Sequence, residues 1–273
     1  MKQRVLSAAI MVAVVIIVFV LPKNISHIGI AVSVGLLAAQ SYRELLGLKK
    51  SRKEYPKYIT VLGFICMELM VFHRISAPLK AFSGINFLAI GLILLVLLIP
   101  SIFDKKGEYT TKEALYLTGV TVAIGLFFNL VMLIYNYNRW ELLYLLAIAT
   151  MTDTFAMLIG RLIGKHKLIP DVSPKKSVEG SIAGSLVGTI ISSILYYNII
   201  SNEINIIVLV LMTLALTILG QLGDLFFSKM KRENEIKDFS NIMPGHGGIL
   251  DRFDSLTFIT FGYIVIINLI NLL

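Results

Sequence analysis

Long blocks of apolar residues, separated by short polar gaps, constrain this chain more than any other feature. A helix of about 18 or more such residues matches the hydrocarbon thickness of a bilayer. Nine candidate runs can be drawn, at 4–22, 27–48, 58–74, 84–103, 113–136, 140–163, 179–200, 204–227 and 252–273. The expected fold is an all-α polytopic membrane protein of about nine transmembrane helices. With 56% of its 273 residues hydrophobic and 15% charged, the chain is too apolar for a soluble globular domain. The third run is short and the sixth carries an internal acid. The first follows Lys2 and Arg4 as a secretory signal would, yet it stays apolar to Leu21 and lacks a small-x-small cleavage site before Pro22. A retained first helix is the expectation, with a cleaved signal as the alternative. The one cysteine, Cys66, lies inside an apolar run and leaves no room for a disulfide framework or a cysteine zinc site.

The distribution of cations orients the runs. Of 25 Lys and Arg residues, 21 fall at the N-terminus and in the gaps after the second, fourth, sixth and eighth runs. The other side receives Lys23, Arg74, Lys80 and Arg139. Positive charge marks the cytoplasmic face, so the N-terminus is predicted cytoplasmic and the C-terminus outside. The net charge of +8 is then a topological signal, and no nucleic acid is expected as a partner. Lys49, Lys50, Arg52, Lys53 and Lys57 read as a basic anchor against anionic lipid. The gap holding Lys105, Lys106, Asp104 and Glu108 reads as a solvated turn.

Two cytoplasmic segments carry more pattern. Asp153 sits about 20 Å into the sixth run, on its cytoplasmic side. A carboxylate there needs a cavity or a partner; it reads as a cleft residue or as a structural hydrogen-bonding group. The run leaves the membrane through Gly160, Arg161 and Gly164, and Lys175 and Lys176 follow. Alone these lysines are topology signals. Beside Ser177, Glu179 and Gly180, which open the next helix, they could hold phosphate oxygens together with its N-terminal amides.

The second segment, 224–254, packs five cations, six acids, one His and a P-G-H-G-G turn between two apolar runs. Asp224 closes one run, with Gly220 and Gly223 permitting close backbone approach; Asp251 and Asp254 open the next on one helical face. Its bland reading is an interfacial helix capped by a glycine turn. Its sharper reading is Mg²⁺ with polyphosphate, because Mg²⁺ takes one or two carboxylates and completes its octahedron with water and phosphate oxygens. Lys229, Lys231, Arg232, Lys237 and Arg252 supply the counter-charge. His246 has no cysteine partners for zinc, and no G-x-x-x-x-G-K-[ST] loop is present to cradle a nucleotide.

Three stretches here resemble the phosphatidate cytidylyltransferase (CDP-diacylglycerol synthase) family. Ser228-Lys229-Met230-Lys231-Arg232, Lys237-Asp238-Phe239-Ser240 and Pro244-Gly245-His246-Gly247-Gly248-Ile249-Leu250-Asp251-Arg252-Phe253-Asp254 resemble its signature, with Met243 where Leu, Ile or Phe is usual. Asp153-Thr154-Phe155-Ala156-Met157 with Gly160-Arg161 is similar to the family's D-T-x-A-Y-x-x-G-R; Met157 replaces an aromatic there. Ser173-Pro174-Lys175-Lys176-Ser177 with Glu179-Gly180 resembles S-P-K-K-T-x-E-G. The motifs cover about 150–255, while the first 140 residues resemble the family in length and hydropathy only.

The resemblance implies transfer of a cytidylyl group from CTP to phosphatidic acid, giving CDP-diacylglycerol and pyrophosphate. It implies a metal pair of Asp224 and Asp251 holding Mg²⁺, with room for a second, monovalent cation such as K⁺, and a homodimer. Asp224, Asp251, Lys237 and His246 become the catalytic set, with Asp153 shaping the headgroup cleft. Arg161, Lys175, Lys176, Glu179, Ser228, Lys229, Lys231, Arg232, Gly247, Gly248, Arg252 and Asp254 become the substrate-binding set. Residues 1–136 would serve support, dimer and lipid contact, and residues 137–273 catalysis. The short chain suits a bacterial cytoplasmic membrane, with the site facing the cytoplasm. The rivals are a CTP-dependent polyprenol or dolichol kinase, an ether-lipid cytidylyltransferase, and an ion-coupled transporter built on Asp153 and Glu68. Glu68 reads more simply as a buried hydrogen-bonding partner, and no internal repeat supports a transporter.

Overall fold

A computed structural model of the chain describes residues 19, 23–48, 55–73, 87–105, 107–243 and 247–272. It is mostly helical: α1 (Lys23–Leu46), α2 (Lys57–Val71), α3 (Phe87–Leu98, ending in a 3-10 turn at Ile99–Phe103) and α4 (Thr111–Ile163) are followed by β1 (Lys167–Ile169), β2 (Ser173–Ser177), α5 (Val178–Ile199), α6 (Ile206–Glu233) and α7 (Leu250–Leu272). Four of these, α4 to α7, are long and apolar enough to cross a membrane. The run at 4–22, apart from Phe19, and the basic cluster 49–53 lie outside the described residues.

The all-α expectation needs one correction, because the polar segment after the sixth run folds into an antiparallel hairpin. Lys167 pairs with Ser177 and Ile169 with Ser173. Pro170 and Asp171 make the turn, closed by Val172 N–H donating to Ile169 O at 3.2 Å. Proline favours the first corner position of such a turn because its ring already holds the required φ.

At about 1.5 Å per residue, the 53 residues of α4 would measure about 80 Å, more than twice a hydrocarbon core. Asn138 interrupts them with extended angles (φ −150°, ψ 106°). Its Oδ1 accepts from Trp140 N–H at 3.1 Å, so it caps the start of the second stretch. The two runs expected at 113–136 and 140–163 meet at this cap.

The chain divides into two compact units. The first comprises residues 1–133 and 238–250. Tyr42, Ile59, Met67, Leu97, Tyr109, Leu117, Phe127 and Phe128 are fully buried in it. Several polar tips find carbonyls. Tyr109 Oη donates to Leu97 O at 2.7 Å and Tyr116 Oη to Leu45 O at 2.7 Å. Asn129 Nδ2 reaches Met70 O, Val71 O and His73 O at 2.9–3.0 Å. These carbonyls end α2, where no intrahelical donor remains.

The second unit comprises residues 134–237 and 251–273. Its centre is a tyrosine cluster: Tyr144 stacks edge-on against Tyr196 and Tyr263, with ring centroids 5.0 and 6.2 Å away. The Tyr144 hydroxyl shares a 2.8 Å hydrogen bond with Thr213 Oγ1. On α5, Gly180, Gly184 and Gly188 lie four apart and form a small-residue stripe against Thr152, Ala156 and Gly160 of α4. In an apolar solvent, such stripes let backbones approach and van der Waals contact hold the helices. A Cβ at Gly184 would stand 2.6 Å from Thr152 O and 2.7 Å from Ala156 Cβ. Gly184→Val should therefore destabilise the protein by about 1–3 kcal/mol. The readout is melting temperature in detergent, with Ile182→Val on the exposed face of α5 left near wild type.

Candidate active site

A cavity of about 670 Å³ opens where the second stretch of α4, the hairpin, α5 and α6 meet. Asp153 and Asp224 line it on the acidic side; Arg161, Lys167, Lys175 and Lys176 line it on the basic side. The hairpin explains the basic wall. It brings Lys167, Lys175 and Lys176 back over the end of α4, where Arg161 already sits in the last turn. Ser177 then ends β2 and caps α5, its Oγ accepting from Gly180 N–H at 3.2 Å.

Glu179 lies in the first turn of α5. It accepts from the backbone N–H groups of Lys165 and His166 at 3.1 and 3.2 Å and pairs with His166 Nδ1 at 2.6 Å. It thus clasps the start of the hairpin to the first turn of α5 and is not among the residues lining the cavity.

The helix α6 supplies the floor. Its 28 residues span about 42 Å, so its last two turns extend beyond a hydrocarbon core and can carry charge. Asp224 forms an ion pair with Lys176 and accepts from Ser228 Oγ at 3.2 Å. One turn earlier Gln221 donates to Ser185 Oγ at 2.6 Å and Ser181 O at 3.1 Å. Two turns later Lys231 forms a buried ion pair with Asp251 at 2.7 Å. Arg232 ties the hairpin turn to the end of α6, donating to Val172 O at 3.4 Å and Ile236 O at 3.2 Å. Lys229 pairs with Glu233 at 3.8 Å on the exposed side, and Lys237 is exposed.

The first turn of α7 completes the acid cluster. Asp251 is buried while Arg252 is exposed. Asp254 Oδ1 accepts from Ser255 N–H at 2.8 Å, and Ser255 Oγ reaches Asp153 Oδ2 at 3.5 Å. The charges of Asp153, Asp224 and Asp254 act on one another, with Lys176, Lys231 and Arg252 opposing them. A Cβ at Gly223 would meet Asp254 O at 2.8 Å, so α6 and α7 approach through that glycine. Gly247 and Gly248 are buried in the first unit, and His246 lies outside the described residues.

The structure thus gathers Asp153, Asp224 and Asp254 and gives Asp251 a lysine of its own. Lys167, Ser181 and Gln221 line the cavity without having been singled out from sequence. Gln221, one turn before Asp224 in an apolar run, was the readable signal among them.

Among the described residues no three His, Cys, Asp or Glu converge as a metal cage. Mg²⁺ does not need one, since it is held by one or two carboxylates together with phosphate oxygens and water. The carboxylates offer hard oxygen donors, and both Asp224 and Asp251 already face a cation, the ammonium of Lys176 or Lys231. Carboxylate oxygens of this kind are the hard donors that Mg²⁺ takes.

The family model described as "Cytidylyltransferase family" matches residues 2–270. The phosphatidate cytidylyltransferase of Bacillus subtilis (strain 168) is 33% identical over 264 residues, covering 95% of this chain and 94% of its own. That of Staphylococcus aureus (strain COL) is 31% identical over 266 residues, covering 95% and 96%. That of Staphylococcus haemolyticus (strain JCSC1435) is 32% identical over 225 residues, covering 82% and 84%. With residues 2–270 matched by that model, and relatives more than 30% identical over nearly its whole length, this chain belongs to the cytidylyltransferase family.

Proposed function

We propose that the chain is a phosphatidate cytidylyltransferase, joining CTP and phosphatidate to give CDP-diacylglycerol and pyrophosphate. The observation that carries this reading is the Lys176–Asp224 ion pair, which unites two motif segments 48 positions apart across one cavity. The cavity has the chemistry of a polyphosphate site: four cations, two acids and a helix N-terminus lie together.

In the reaction an oxygen of the phosphatidate monoester attacks the α-phosphorus of CTP. The bond to the α–β bridging oxygen breaks, and pyrophosphate leaves with that electron pair. A phosphate monoester is already nucleophilic near neutral pH, so the chain needs no strong base. Its work is to align the two phosphates and neutralise charge on the departing pyrophosphate. Arg161, Lys167, Lys175 and Lys176 suit the second task, and Ser181 and Gln221 suit orientation of the polar headgroup. Asp224 and Asp251 would hold Mg²⁺, which when bound supplies charge neutralisation at the phosphates. A monovalent cation such as K⁺ is the proposed second ion. Lys237 and His246 join the catalytic set on the strength of the signature they occupy.

The enzyme is further proposed as a homodimer in a bacterial cytoplasmic membrane, with nine spans, a cytoplasmic N-terminus and an outside C-terminus. Residues 1–136 would provide support and lipid contact. Positive charge at the proposed cytoplasmic face, together with the bacterial source of the relatives, supports this placement.

Detergent-solubilised protein given CTP, phosphatidate and Mg²⁺ should release pyrophosphate and form a CDP-lipid in equal amounts. Removing Mg²⁺ with EDTA should lower the rate at least about 100-fold, with Mg²⁺ restoring it. CDP as the nucleotide product from a lipid alcohol would instead make the protein a kinase.

A further inference from the structure

We propose that Glu44, near the end of α1, is a positioning residue that sets where α7 begins and so how Asp251 and Asp254 are presented. The proposal rests on the activity proposed above. Glu44 is buried, at 3% exposure, and its carboxylate reaches a loop some 200 positions away in sequence. Ile249 N–H donates to Oε1 and Leu250 N–H to Oε2, each at 2.9 Å. Ser240 Oγ donates to Oε1 at 2.7 Å and Gln40 Nε2 to the same oxygen at 3.3 Å.

These donors include the amides that open α7, which have no partner within the helix. A negative group at that end also meets the positive pole of the helix. Glu44 therefore caps α7 from another helix, where a local Ser or Asp would ordinarily serve. The loop is shaped to admit it. A Cβ at Gly248 would come within 2.6 Å of Glu44 Oε1, so the second glycine of the G-G pair makes room for this carboxylate. Gly247 takes φ 80°, a left-handed conformation that glycine adopts freely, and its carbonyl accepts from Met243 N–H at 3.0 Å.

The consequence for chemistry is geometric. Asp251 follows Leu250 directly, and each residue of an α-helix turns about 100° about the axis. If the register of α7 slipped by one residue, Asp251 and Asp254 would turn together by about 100°. Fixing both the Ile249 and Leu250 amides removes that freedom.

The test uses full-length protein in detergent with Glu44→Gln and Gly248→Ala. Gln presents an amide NH₂ to one backbone donor; Ala leaves the acid in place but displaces it. Hydrogen exchange at Ile249 and Leu250 should accelerate at least about tenfold in both. Maximal pyrophosphate release should fall at least about 30-fold, with KM for CTP changed less than about threefold. Faster exchange with release within about threefold of wild type would make Glu44 merely structural and overturn the proposal. Unchanged exchange would overturn the cap itself. Should Glu44→Gln fail to fold, Gly248→Ala decides by the same criteria. A wild type that releases no pyrophosphate would defeat the proposed activity, while the exchange comparison would still report on the cap.

Discussion

Asp224→Asn should lower pyrophosphate release by about 10²–10³-fold while leaving the protein folded. The size follows from the site. Charge grows on the leaving pyrophosphate in a cavity walled by protein, where losing one preorganised electrostatic partner costs about 3–4 kcal/mol of barrier. Asp224 has two such connections, the Lys176 ammonium and the Ser228 hydroxyl. Asn keeps the shape and one acceptor but removes the charge, so the half-saturating Mg²⁺ concentration should rise as well. Stability should fall by no more than about 1–3 kcal/mol, because the Lys176 ammonium is buried although its side chain and that of Asp224 are 23% and 22% exposed, and Asn still offers it an acceptor. Release within about threefold of wild type would remove Asp224 from the proposed metal pair.

How this site reads from sequence depends on the distance over which each part is determined. Ser177 is legible as a helix cap because capping is local, and the structure starts α5 at Val178. The end of α6 is less so. Hydropathy falls at 227, but Lys229 to Glu233 are good helix formers and continue the coil to Glu233. It stops where Asn234 caps and Glu235 turns to φ 53°. The hairpin was legible only as a polar gap, since Pro170 and Asp171 signal a turn but not the pairing of its arms. Glu44 carries no local signal at all. In R-E-L-L at the end of an apolar run it resembles any interfacial acid, and its partners become visible only when Ser240, Ile249 and Leu250 are placed beside it. Likewise, spacing places Asp251 and Asp254 on one helix face, yet only the structure separates their partners, Lys231 for one and the Asp153–Ser255 group for the other.

That separation makes Asp251 differ from Asp224 in the kind of loss its removal should cause. The Lys231 and Asp251 side chains are 10% and 4% exposed and 2.7 Å apart. Breaking a pair this buried leaves one charge without compensation, at a cost of about 3–5 kcal/mol. Lys231→Met should therefore lower the melting temperature by roughly 6–20 °C, using a conversion of about 2–4 °C per kcal/mol for a chain of this size. The double variant Lys231→Met with Asp251→Leu removes both charges and fills the space with apolar atoms. It should recover most of the lost stability, because replacing a whole buried pair by well-packed apolar groups is often neutral or better. It should not recover pyrophosphate release, since the carboxylate proposed to hold Mg²⁺ is gone. The two readouts then divide what one substitution confounds. A double variant that is stable and active would confine Asp251 to a structural role. A single variant with unchanged melting temperature would mean that Asp251 is solvated and available, and that Lys231 is not needed to keep it in place.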